Sequence, residues 1–377
     1  MSSTPRNILI VLLGAIGDVA RALPLAVRIQ RAWPDARLSW AVEPPSLTLV
    51  EGHPAVDEVL LFDRKRGFFE YIRFLKTLRI KRYDLVLDLQ RHLKSGVTSF
   101  ATGAGRRVGF HRKNSREFNW LFNNEHIVPL EHFSPKVSQF QQFGDQLKIP
   151  LLEPFTFGLA ASDEERARME EFLVGGREDQ TSPFPPVERR IALILGSTWP
   201  SRFWLPERYC EVIREAHAHW GFGFVLVGGK SERVFADRIR AQVCASQDFS
   251  VKAPLVDLVE KTSLRELVAL FSCVRVAVGS DSGPMHIASA VGIPVISLWG
   301  STSPRRSAPF GSESLVLQSA IGCSPCYRSK CPGLDTLCMR EIRQRRSWPV
   351  FPGSWKSVVP VSTSRPQTAE RLTEKPK

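Results

Sequence analysis

The chain has 377 residues, 43% of them hydrophobic and 24% charged, an ordinary globular composition and enough length for two domains of roughly 150 to 180 residues. No apolar run reaches the ~18 residues needed to cross a bilayer, so no membrane-spanning helix is expected. The formal net charge of +13 is uneven: Arg64 to Arg116 holds fifteen Lys or Arg against only Glu70, Asp84 and Asp88. That stretch is either a solvated surface or a device for capturing an anionic partner.

In chain order, Arg6 and the apolar run Ile8 to Leu13 resemble the start of a signal peptide, but Gly14 and Asp18 interrupt the run and no small-residue cleavage site follows. With an odd count of seven cysteines in a long chain, the expected home is the reducing cytoplasm. Asn7 to Leu13, Arg37 to Val42, Glu58 to Leu61 and Leu85 to Leu89 read as buried strands, with helices over Val19 to Ala32 and Phe68 to Leu78. A linker is expected over 178–190, where Asp, Gln, Ser and three prolines gather. The alternation then restarts: strand Ile191 to Leu195, helix Pro206 to His219, strand Phe224 to Val227, helix Leu264 to Phe271, strands Val274 to Val278 and Pro294 to Leu298. The expected fold is therefore α/β, with two Rossmann-like doubly wound parallel-sheet domains over 1–177 and 191–346 facing a cleft, and a disordered tail over 347–377.

Three loops carry the chemistry. Gly14-Ala15-Ile16-Gly17-Asp18 opens a helix at the carboxyl edge of the first sheet, where open α/β folds place ligands, but it lacks the three-glycine dinucleotide fingerprint. Asp18 there is either a functional acid or simply a carboxylate favoured by the helix dipole. Gly196-Ser197-Thr198-Trp199-Pro200-Ser201-Arg202 follows the first strand of the second half, with hydroxyls, amides and a guanidinium suited to a diphosphate, or else with a solvated Arg. Gly279-Ser280-Asp281-Ser282-Gly283-Pro284-Met285-His286 runs from a strand into a helix whose free N–H groups make an anion site, with His286 one turn further on; Asp281 and Ser282 as plain caps are the alternative.

Jointly these segments, with Asp88 to Gly96 and Ser115-Arg116-Glu117, resemble glycosyltransferase family 9, the bacterial heptosyltransferases of lipopolysaccharide core assembly, over roughly Asn7 to Ile342. The resemblance implies the GT-B architecture, an ADP-heptose donor, inversion at the anomeric carbon, and no metal or other cofactor. It implies that Asp18 is the general base and that Arg202, where the family commonly has Lys before a Trp-Pro pair, neutralises phosphate. Ser197, Thr198, Asp281, Ser282, Gly283 and His286 match donor-binding positions, and Glu232 and Thr262 are looser matches near the adenosine. Lys94 and Arg116, and less closely Arg64, match positions for an anionic, lipid-linked saccharide acceptor, with peripheral contact at the inner face of the inner membrane and no nucleic-acid partner. Another nucleotide sugar, a basic nucleic-acid-binding protein, and a catalytically idle relative remain the competing readings.

Cys323, Cys326, Cys331 and Cys338 are spaced C-x2-C-x4-C-x6-C, a pattern compatible with zinc or an iron–sulfur centre, but the expectation is no bound metal because the chemistry needs none. Cys210, Cys244 and Cys273 are expected as core thiols.

Overall fold

The structure is a computed structural model, and it describes residues 4–151, 153–176, 183–244 and 253–342. The tail expected over 347–377, the first part of the expected linker and the side chain of Cys244 lie outside the described residues.

The first half runs β1 (Asn7–Val11), α1 (Ile16–Ala32), β2 (Arg37–Val42), α2 (Leu47–Val50), β3 (Glu58–Leu61), α3 (Phe68–Ile80), β4 (Leu85–Asp88), α4 (Leu93–Ala101), β5 (Arg106–Gly109), β6 (Glu125–His126) and α5 (Lys136–Gln146). After α6 (Asp163–Gly175) the second half runs β7 (Arg190–Ile194), α7 (Pro206–Trp220), β8 (Gly223–Val227), α8 (Arg233–Cys244), β9 (Leu255–Asp257), α9 (Leu264–Ser272), β10 (Val276–Ser280), α10 (Gly283–Val291), β11 (Val295–Trp299), α11 (Pro304–Ser307), β12 (Val316–Gln318) and α12 (Leu337–Arg340). Among the described residues each half builds a six-stranded sheet, in the orders β3-β2-β1-β4-β5-β6 and β9-β8-β7-β10-β11-β12, so the second repeats the first's topology. Every strand pairing is parallel, the doubly wound arrangement expected from the alternation.

Strand alternation explains how both faces are covered. Ile8 and Ile10 of β1 point into the layer beneath α1, whereas Leu9 and Val11 point into a separate cluster with Phe62, Phe74 and Leu78 under α3. In the second sheet Ile191 and Leu193 pack with α7, while Ala192 and Ile194 join the same apolar layer as α1, α9 and α10. One continuous core thus runs through the domain junction. Gly283 at the start of α10 meets Ile16 of α1 so closely that an added Cβ would lie 3.1 Å from its Cγ2. Helix α6, on the near side of the expected linker, leans on the second half: Arg265 of α9 grips Glu165, and Arg190 of β7 grips Glu170.

Several elements differ from the sequence expectation for physical reasons. Helix α1 starts at Ile16, earlier than Val19, because Gly17 and Asp18 form its first turn. Strand β10 lies two residues later than expected, since Gly279 has no Cβ to strike Ile194 of β7 and can pair in the sheet. Strand β5, Arg-Arg-Val-Gly, lacks the apolar periodicity by which the other strands are read, and α5 carries its buried Val137, Phe140 and Phe143 among polar glutamines.

Arg28 of α1 ties α1 to α5 and the turn behind it. Its buried guanidinium donates to the carbonyl of Gln141 at 2.9 Å, to Asp145 Oδ1 at 2.7 Å and to the carbonyl of Pro150 at 3.2 Å. Arg28→Met is expected to lower stability by about 2–3 kcal/mol, because each orphaned buried acceptor costs about 1–3 kcal/mol. A lowered urea midpoint at unchanged slope would register this, and an unchanged midpoint would refute it.

Candidate functional site

Both sheets turn their carboxyl edges toward one cleft, and each has its switch point there, between β1 and β4 and between β7 and β10. The cleft of about 510 Å³ is lined from the first half by Arg91, Arg116 and Gln139 and from the second by Trp199, Arg202 and Arg306, among others.

Asp18 stands in the first turn of α1, at the wall shared with α10. Arg21, one turn along the same helix, donates to its Oδ1 at 2.6 Å, and the ammonium of Lys136 on α5 donates to its Oδ2 at 3.3 Å. Burial alone would raise the carboxyl's pKa, but the charges of Lys136 and then Arg21, with their hydrogen bonds, hold it well below the usual carboxylate range. Asp18 is therefore an ionised, doubly clamped carboxylate. Lys136 is affected in turn: burial pulls its ammonium down to about 8, against the attraction of Asp18.

His286 does not stand open to the cleft as a phosphate contact, the role expected from its loop. Its ring is buried against Gly17, where a Cβ would sit 2.7 Å from Cδ2, and its Nε2 is 2.8 Å from Arg21 Nη1. A guanidinium only donates, so Nε2 is the acceptor and the ring proton belongs on Nδ1. Burial first and the Arg21 charge second push its pKa well below the ordinary value, so the ring is neutral. From the second domain His286 thereby steadies the arginine that clamps the first domain's carboxylate.

The donor-side residues gather where β7 and β10 end. Ser282 is the N-cap of α10 with extended backbone, its hydroxyl makes no capping bond, and its buried Oγ has no protein partner. The plain-cap alternative therefore fails for Ser282, and the free N–H groups of α10 begin at Gly283. Asp281 acts as a local hub: its carbonyl accepts from Ser197 Oγ at 2.6 Å, and its carboxylate takes Thr302 Oγ1 and Arg202 Nη1, each at 3.1 Å. Burial raises the Asp281 carboxyl, opposed chiefly by Arg202. Arg202 is not a solvated loop residue, since it also stacks over Trp199 at 4.0 Å. Thr198 is exposed beside this hub. Glu232 is buried, accepting from the Gly229 amide at 2.7 Å and from Ser231 Oγ at 2.6 Å, and it fills the space over Gly196 that a side chain there would occupy. Thr262 is half-buried just ahead of Ser263, the N-cap of α9.

On the first domain's rim, Lys94 lies at the start of α4 with its ammonium over the rings of Phe62 at 4.0 Å and Tyr71 at 5.4 Å. Arg116 is exposed and faces the cleft, whereas Arg64 is farther out, 3.8 Å from Glu43. Beneath them Asp88, at the end of β4, is fully buried and accepts from the side-chain amides of Asn119 and Asn123, 2.6 and 3.2 Å away. Burial raises its pKa to about 6 in spite of these donors, and it braces the loop that carries Arg116.

Four cations escape the motif reading: Arg21, Lys136, Arg91 and Arg306. Arg91 rests over Phe110 at 4.3 Å and donates to Gln139 at 2.6 Å, and burial, then the charge of Arg306 across the cleft, lowers it to about 10. Arg21, three residues after Asp18, and Arg91, inside the Asp88 to Gly96 segment, carried a local signal.

Cys323 is exposed, Cys326 and Cys331 are half-buried and Cys338 is buried; among the described residues no three His, Cys, Asp or Glu side chains are grouped to hold a metal ion. Cys210 and Cys273 are buried thiols that desolvation raises to about 11 and about 12.

Comparison with known proteins bears on this site. Residues 71–335 match the family model described as glycosyltransferase family 9 (heptosyltransferase). A lipopolysaccharide core heptosyltransferase, OpsX, of Haemophilus influenzae is 29% identical over 317 residues, 84% of this chain and 85% of that one. Lipopolysaccharide heptosyltransferase 1 of Pseudomonas aeruginosa is 27% identical over 337 residues, 86% and 87% of the two chains. Among solved structures, Escherichia coli heptosyltransferase WaaC with ADP-2-deoxy-2-fluoro heptose superposes with a TM-score of 0.63 at 23% identity, covering 83% of this chain and 93% of that one, a likeness of fold.

Proposed function

Because this chain belongs to glycosyltransferase family 9, the heptosyltransferases, we propose that it transfers heptose from ADP-heptose to a phosphorylated lipopolysaccharide inner-core acceptor with inversion at the anomeric carbon. The observation that carries this reading is an ionised carboxylate, Asp18, in the first turn of α1 where that helix packs on α10, whose own start carries an unpartnered hydroxyl, Ser282, next to the cleft residues Asp281 and Arg202. In a single displacement the acceptor hydroxyl attacks the anomeric carbon, its proton passes to Asp18, and the bond from that carbon to the diphosphate oxygen breaks as ADP leaves. The N–H groups at the start of α10 and the Arg202 guanidinium meet the charge growing on the leaving diphosphate. The carboxylate is a weak base at rest, but the attacking hydroxyl becomes acidic as the new C–O bond forms, so an ionised and fixed acceptor of the proton suffices.

Apart from His286, which acts through Arg21, the donor and acceptor residues divide as follows. Thr198, Ser282 and Gly283 hold the diphosphate side of the donor, Asp281 fixes Ser197 and Arg202 in place beside it, and Glu232 and Thr262 lie toward the adenosine. Lys94 and Arg116, with Arg64 at the rim, attract the acceptor's phosphates. The reaction requires no metal or cofactor, and the enzyme works as a peripheral protein at the inner face of the inner membrane. Among the described residues no helix is long and apolar enough to cross a membrane.

A thermal-unfolding screen tests the donor. ADP-heptose and ADP are expected to raise the midpoint, because a ligand that binds only the folded form stabilises it. A rise with UDP-sugars and none with ADP would overturn the donor assignment in favour of a different nucleotide sugar.

A pH dependence follows from the clamp. The Lys136 ammonium, drawn down to about 8 by burial, loses its proton as pH rises through that value and with it the charge that fixes Asp18. The expected result is a fall of kcat/KM above pH about 8. In Lys136→Arg the guanidinium stays charged, so that limb should move to markedly higher pH. An unmoved limb in the variant would assign the titration to another group.

A further inference from the structure

We propose that the outer lip of the first domain, from Arg64 through the first turn of α3, is a docking surface for an anionic lipid bilayer, with Phe68 and Phe69 as the inserting side chains. Phe68 is 70% exposed and Phe69 87% exposed, side by side at the first two positions of α3. The helix's own anchors lie further along, at the buried Phe74 and Leu78, so the fold does not need the two leading rings. Adjacent bare aromatics on a lip are a patch that asks for an apolar environment.

The surroundings select the partner. From Arg64 to Ile80 the sequence has Arg64, Lys65, Arg66, Arg73, Lys76 and Arg79 against Glu70 alone. Arg64, Arg66 and Arg73 keep 73%, 65% and 72% of their side chains exposed although carboxylates of Glu43, Asp63 and Glu70 lie 3.1 to 3.8 Å away. Two rings at the tip, flanked on both sides by cations, match the layering of a membrane interface, with apolar groups below the headgroups and positive charge at the level of the lipid phosphates. Neither signal is strong alone, and together they give reversible binding.

The same lip adjoins the acceptor-side rim of the first domain. Tyr71, one turn after Phe68, donates from its hydroxyl to the carbonyl of Lys94 at 2.9 Å, so the aromatic pair adjoins the cation proposed to meet the acceptor. Beyond Lys94 the apolar exposure continues: the Leu93 amide is tied to Glu117 at 3.0 Å, and Phe118 next to it is 71% exposed. Its purpose rests on the proposed lipid-linked acceptor, but binding is measured with neither substrate present, so the two ideas fail separately.

The test is co-sedimentation of the full chain with vesicles of phosphatidylglycerol and phosphatidylethanolamine, compared with phosphatidylcholine alone, at low and high salt. Binding to the anionic vesicles that weakens with salt is expected, with little binding to the neutral ones. Phe68→Ser combined with Phe69→Ser should weaken the anionic-vesicle association by at least about tenfold. Its thermal midpoint and its turnover of a water-soluble acceptor fragment should stay at wild type. Equal vesicle binding by wild type and double variant would overturn the proposal. So would absence of vesicle binding, including the case in which the wild type instead binds an RNA oligonucleotide and the double variant does not.

Discussion

Asp18→Asn is expected to lower kcat by about 100-fold or more while leaving the fold and ADP binding close to wild type. The amide keeps the size of the carboxyl and an oxygen to accept from Arg21, but it takes up no proton at working pH. Because the Asp18 carboxylate is held ionised by Lys136 and Arg21, the wild type has its proton acceptor ready at neutral pH, and the variant has none. The substitution also leaves the cations of Lys136 and Arg21 without their shared anion. Loss of that attraction should drop the Lys136 pKa further and neutralise the amine, which moderates the cost in stability. Calorimetry with ADP, the melting midpoint and single-turnover rates separate these effects. A variant with an unchanged midpoint and full turnover would remove Asp18 from the chemistry.

The parts of this centre differ in how far they could be read from sequence, and the reason is distance along the chain. Asp18, Ser282 and Gly283 lie where a strand hands over to a helix, and the alternation of strands and helices is strong enough to locate both sites at sheet edges. Lys136 begins a Gln-rich helix and reaches Asp18 across 118 residues, so no spacing rule connects them. His286 shows a different limit. Its motif suggested a ligand contact, but its position depends on Gly17 having no Cβ and on α10 packing on α1, a fact of the domain junction that neither local sequence contains. The doubling of the architecture is visible as a restart of the pattern, though its strand order is not, whereas β5, β6 and β12, two to four residues long, are too short to signal themselves.

Defects in donor and acceptor handling should separate by domain, the first arising at Arg202 and the second at Lys94 and Arg116. Arg202→Ala removes the guanidinium beside the start of α10, and a charge-assisted contact of that kind contributes about 1.5–3 kcal/mol, so ADP affinity should fall by about 10- to 150-fold. Part of that loss is indirect, because Asp281 would lose the cation opposing its desolvation and the hub that holds Ser197 and Thr302 would loosen. Arg202→Lys keeps the charge but not the planar fork stacked on Trp199, so it should recover only part of the affinity. Lys94→Ala and Arg116→Ala leave the second domain untouched. They should raise the apparent KM for the phosphorylated acceptor and flatten its salt dependence, with ADP affinity within about twofold of wild type. Isothermal titration with ADP and acceptor kinetics at two ionic strengths read both halves. Loss of ADP binding in the Lys94 and Arg116 variants, with Arg202→Ala binding ADP normally, would mean that the two domains divide the substrates the other way round.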